Sequence, residues 1–138
     1  MAAIMVNVSA QIKSGPQVSF SQEIPAEAYD KVEVVVPPGG QEVSVNVQPG
    51  TLAQVSFLLI QSSLYSNPKD AAQKVSYGIT ATNINLDQPQ IFLGTGAVSI
   101  LGSDPQTLKF KNDYPAEGDA AETNKAVIQI LVGRKATA

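Results

Sequence analysis

A chain of 138 residues has the length of one ordinary domain and can bury a core without disulfides or a structural metal. It contains neither Cys nor His, which removes thiol nucleophiles, imidazole bases, disulfide scaffolds and zinc sites built from those ligands. A net charge of −3, with nine cationic side chains against twelve acids, gives no basic footprint for nucleic acid or an anionic bilayer.

With 43% hydrophobic and 15% charged residues, the polar surface falls to Ser, Thr, Asn and Gln, as in β-rich proteins. Ile4, Val6, Val8, Ala10 and Ile12 alternate with Met5, Asn7, Ser9, Gln11 and Lys13, and a period of two places one set on one face of a strand. Gly15-Pro16 breaks that strand, and Val18, Phe20 and Ile24 mark a second. Val32, Val34 and Val36 run into Pro37-Pro38-Gly39-Gly40 and are followed by Val43, Val45 and Val47. That spacing predicts a hairpin with a rigid loop. Gln48-Pro49-Gly50 closes it, and Val55 to Ile60 follows, apolar on both faces like a central strand or one covered by a partner.

Ser66 to Gln73 is expected to form a turn or two of helix, with Asn67 as N-cap and Pro68 in the first turn. Val75, Tyr77, Ile79 and Ala81 restore the alternation, and Ile91 to Leu93 and Val98 to Leu101 flank Gly94-Thr95-Gly96 as a second hairpin. Leu108 and Phe110 give a further strand, residues 112–124 a long surface loop, and Ala126 to Val132 a last, nearly continuous apolar run. About ten strands without a βαβ rhythm predict one all-β domain over residues 1–138. The architecture expected is a two-sheet antiparallel sandwich of Greek-key or jelly-roll type. The alternation assigns Val6, Val8, Val18, Phe20, Val34, Val45, Phe57, Leu59, Ile79, Phe110, Ile128 and Ile130 to the core.

Candidate chemistry is sparse. Ser66-Asn67-Pro68-Lys69 matches the S-x-x-K pattern in which a lysine activates a serine, but the K-T-G and S-D-N partners are missing. Asp113, Glu117, Asp119 and Glu122 have the hard oxygens calcium prefers but fit no calcium-loop spacing, so a solvated loop is the expectation. Gly94-Thr95-Gly96 and Gly39-Gly40 lack the G-K-[ST] of a phosphate cradle and read as turns. The chain has no Trp; Tyr29, Tyr65 and Tyr114 are the aromatics expected to be free, a thin basis for a sugar platform. Asn7-Val8-Ser9 is a glycosylation sequon inside a strand, where it carries little meaning. No basic leader opens the chain and no apolar run approaches the roughly 18 residues of a membrane span. The chain therefore reads as non-enzymatic, without cofactor or metal, and engaging neither nucleic acid nor membrane.

Protein contact remains. Ala2, Ala3, Ile4 and Met5 form an apolar lead, and Arg134, the single arginine, stands with Lys135 near the end; these six residues are the interface candidates. Val43-Ser-Val-Asn-Val47, the Gly94-Thr-Gly96 turn and the strand ending Leu131-Val-Gly-Arg134 are similar to stretches of virion β-proteins. Over its whole length the chain resembles the small head-decoration, or cement, proteins of tailed phages. The resemblance implies a homotrimer on the outer surface of the capsid, made in the host cytoplasm, bridging and stabilising neighbouring subunits of the major capsid protein. Two other readings are a tail or neck protein of a virion and, from a different class, a carbohydrate-binding or calcium-dependent sandwich module.

Overall fold

The computed structural model describes residues 2–26, 28–46, 55–101 and 107–134. Among those residues ten strands follow one another: β1 (Ala2–Gln11), β2 (Gln17–Ala26), β3 (Ala28–Val36), β4 (Glu42–Asn46), β5 (Val55–Ser62), β6 (Val75–Gly78), β7 (Ile84–Asn85), β8 (Gln90–Leu93), β9 (Thr107–Asn112) and β10 (Ala126–Arg134). Helix is confined to α1 (Gly94–Val98), the 3-10 turn Ser99–Leu101 that continues it, and α2 (Ala120–Thr123) among the described residues. Val47 and the Gln48-Pro49-Gly50 break lie outside those residues.

The strands form two four-stranded antiparallel sheets, ordered β3-β10-β5-β8 and β4-β9-β6-β7, and a separate two-stranded sheet, β1-β2. Counted from β3, strand one pairs with strand eight, two with seven, three with six and four with five. This is the pairing of one long hairpin rolled into two layers, and the β10–β5 and β9–β6 ladders close the roll. The expected all-β architecture of two antiparallel sheets is what the chain adopts.

Between the layers lies one apolar core. Val36, Ile128, Ile130, Val132, Leu58 and Ile60 of one sheet meet Val45, Val75, Tyr77, Leu108 and Phe110 of the other. The Tyr77 and Phe110 rings stack 5.6 Å apart, an arrangement favoured by the ring quadrupoles. β5 and β10 are interior strands of their sheet, in keeping with their continuous apolar runs.

Several expectations need correction. Val18 and Phe20 are 71% and 40% exposed: alternation identifies the face of a strand, not what covers it, and here the β1-β2 hairpin stands apart from the sandwich. Val8 and Leu59 are only half-buried and stand outside the main core, while Val34 and Ile79 are half-buried and pack against it. The valines on either side of Pro37-Pro38-Gly39-Gly40 lie in different sheets, so this link crosses between layers; the Gly39 and Gly40 amides donate to the Tyr114 and Asn112 carbonyls at the end of β9.

Gly94-Thr95-Gly96 opens α1 instead of turning a hairpin, because Val98 is fully buried and Leu101 packs against the same core. Tertiary burial outweighs the poor helix propensity of two glycines. Conversely, residues 66–73 form no helix. The Asn67 amide donates to the Gln73 carbonyl at 2.9 Å, while Asn67 Oδ1 accepts the Lys69 amide and Asp70 Oδ1 the Ala72 amide, so the side chains that would cap a helix close turns.

Candidate assembly surface

The β1-β2 sheet is an arm. Its strands pair in unbroken register from Ala2–Ala26 to Gln11–Gln17, and the turn closes through the Ile12 amide on the Pro16 carbonyl at 3.0 Å and the Gly15 amide on the Ile12 carbonyl at 2.7 Å. Directly opposed residues of an antiparallel pair share a face. One face therefore carries Ile4, Val6, Val8 and Ala10 against Ile24, Gln22, Phe20 and Val18, and the other carries Asn7, Ser9 and Gln11 against Ser21, Ser19 and Gln17. The second face is a polar ladder, uncharged over these six residues and ending at the Met5–Glu23 pair, in which Ser21 Oγ donates to Asn7 Oδ1 at 2.7 Å and Gln17 Nε2 to Ser9 Oγ at 2.8 Å.

Only the base of the apolar face is covered. Val6, Ala26 and Phe57 are buried yet stand outside the main core. They belong to a small cluster on the outer side of the β3-β10-β5-β8 sheet. There a Cβ on Gly133 would lie 2.6 Å from Ile4 Cδ1, 3.2 Å from Phe57 Cβ and 3.7 Å from Ala26 Cβ; glycine is what lets the arm root sit so close. From Ser9 to Glu23 every residue is exposed, including Ile12 at 65%.

The six interface candidates fall around this arm root. Ala2 pairs with Ala26, Ala3 is exposed, Ile4 seats at Gly133 and Met5 is 63% exposed on the side that continues into the polar ladder. Arg134 forms an ion pair with Asp30, Nη2 to Oδ2 at 2.6 Å, which fastens the end of β10 to β3 just past the arm. Lys135 lies outside the described residues. What the sequence reading missed is the distal arm, with Val18 and Phe20; the low charge of residues 2–26, where only Lys13 and Glu23 ionise, was the available signal.

The outer side of the same sheet is organised in rows by strand register. Tyr29, Gly133, Phe57 and Leu93 form the row beneath the arm root. Beside it lies Lys31, Leu131, Leu59 and Ile91, and beyond that Glu33, Gln129 and Gln61. In the last row Gln61 Nε2 donates to Gln129 Oε1 at 2.7 Å and Gln129 Nε2 to Glu33 Oε2 at 3.3 Å. A depression of about 220 Å³ opens between the middle and outer rows, lined by Leu59, Leu131 and Ile130 and rimmed by Lys31, Gln61 and Gln129.

The other candidates take structural parts. Ser66 Oγ lies 2.9 Å from both the amide and the carbonyl of Val75 and 2.5 Å from Asn85 Oδ1, so it ties its loop to β6 and β7, while Lys69 is exposed. In the acidic segment Asp113 pairs with Lys111 at 3.7 Å and Glu122 with Lys125 at 2.5 Å. Among the described residues no three acids converge as a metal would require. Nor is that segment free of structure. Asn112 is buried, donating from Nδ2 to the Val36 and Asn124 carbonyls and accepting the Tyr114 amide at Oδ1. Tyr114, expected to be free, is buried and donates to the Tyr65 carbonyl at 2.6 Å; Tyr65 is itself half-buried and accepts the Ser62 amide at its hydroxyl. The chain matches no protein-family model, no curated protein and no solved structure.

Proposed function

We propose that the chain is a structural subunit of a virion: a capsid decoration protein of jelly-roll type that binds the outside of a phage head as a homotrimer and stabilises the major capsid subunits it bridges. The observation that carries this reading is the arm. A two-stranded hairpin is marginal in water by itself, and this one holds an apolar face away from its own core. Such a face gains stability when another protein chain covers it. The rolled pairing of the eight sandwich strands fits the jelly roll, an architecture used by viral capsid and lectin domains. Of the four tyrosines only Tyr29 is exposed, which favours protein contact over a stacked sugar.

In an assembled shell each arm contributes a modest contact, and several arms held in one oligomer act together, so avidity multiplies weak individual contacts. An antibody against the chain, applied to intact particles of a phage that encodes it, is expected to decorate the heads in electron micrographs. Labelling confined to the neck or tail would assign the protein there, and unlabelled particles would remove the virion reading.

A further inference from the structure

We propose that the apolar face of the arm docks on the outer side of the β3-β10-β5-β8 sheet of a second copy, with Phe20 and Val18 over the Leu59–Leu131 depression. The inference rests on reading the arm as an assembly device and names what it grips. The same arm face already seats on the same sheet side within its own chain, through Ile4 on Gly133 and Phe57. The next row over, Leu131, Leu59 and Ile91, continues that apolar surface and is open, Ile91 being 46% exposed. A second arm laid beside the first would extend an existing contact rather than require a new kind of surface.

Charge offers no obstacle, since the arm carries one base and one acid, Lys13 and Glu23, and the open rows carry Lys31 and Glu33. The area argues against a single one-way contact. With its base already covered, the arm offers about half of each ten-residue strand, about 17 Å of length, and a pair about 10 Å wide gives a footprint of roughly 170 Å². That falls well short of the about 800 Å² per partner of a stable pairwise interface. When every copy both gives and receives an arm, each takes part in two such contacts and a ring can close. Exchange also covers both open apolar surfaces at once. Arms pairing with arms, or an arm on a foreign protein, would leave the sheet row bare.

The chain has no native Cys, so disulfide trapping is clean. Phe20→Cys and Leu131→Cys proteins, purified separately, mixed and oxidised, are expected to give a disulfide-linked dimer severalfold above either protein alone. A second pair, Val18→Cys with Ile91→Cys, uses two exposed sites and so does not depend on tolerance of the half-buried Leu131. Cross-linking of the arm variants alone would show arm pairing with arm and overturn the proposal. Its absence from both mixtures would overturn it too, pointing to a foreign occupant. Neither result touches head labelling by the antibody, so the virion reading and the arm-exchange inference fail separately.

Discussion

At Gly78 a methyl group would stand 1.8 Å from the Ala81 carbonyl oxygen, closer than any contact atoms tolerate, so the turn after β6 must move if the residue is enlarged. Gly78→Ala is expected to cost about 1–3 kcal/mol in denaturant unfolding; a loss within about 0.5 kcal/mol would mean that the turn is not so tight. Burial pushes the Tyr77 phenol well above its ordinary value, and burial followed by the nearby Asp70 charge moves Tyr114 the same way. Above about pH 10 the unfolded chain releases protons that the folded chain retains. Their stabilising effect is therefore complete below that pH and is lost as pH rises through the folded-state values. Tyr77→Phe gives up the hydrogen bond to Gln90 Oε1, about 1 kcal/mol at neutral pH, but flattens the alkaline loss in a pH series of melting curves. An unchanged alkaline slope would contradict this.

Gly133 decides whether the arm has a root. Gly133→Val places side-chain atoms where Ile4 now sits, so the arm base should lift while the sandwich core, on the opposite side of β10, stays packed. In chains diluted to the monomer, hydrogen exchange is expected to show fast amides in the distal arm and slow ones in the core strands β5 and β10. In the variant, fast exchange should spread to the arm base; equal protection in both proteins would place the arm's stability elsewhere. Most strands were legible because alternation reports the face of each one, and the hairpin register from Ala2 to Ala26 follows the pattern of Ile4, Val6 and Val8. Two short elements were not. Residues 94–98 become helical through the burial of Val98, a long-range cause, and 66–73 turn because Asn67 and Asp70 bond locally where a helix would need them as caps. The link from β3 to β4 reads as a hairpin in sequence because two valine runs beside a Pro-Gly loop look alike whether they pair or cross between layers.

For the whole molecule, composition and the missing Cys and His turned the expectation toward protein contact, and the alternation gave the two-layer β architecture. Whether a surface is covered was beyond the sequence: Val18 and Phe20 have the pattern of core residues and stand on an arm, because only the tertiary arrangement decides which face meets the body. Assembly through that arm is the central claim, and solution mass tests it most directly. Multi-angle light scattering of the full chain is expected to give a multiple of 14.5 kDa, three copies in the simplest case. The double variant Val18→Ser, Phe20→Ser, altered only at exposed positions, is expected to fall to 14.5 kDa with its circular dichroism unchanged. A full chain that stays monomeric up to high concentration, or a variant that keeps the oligomeric mass, would contradict the account.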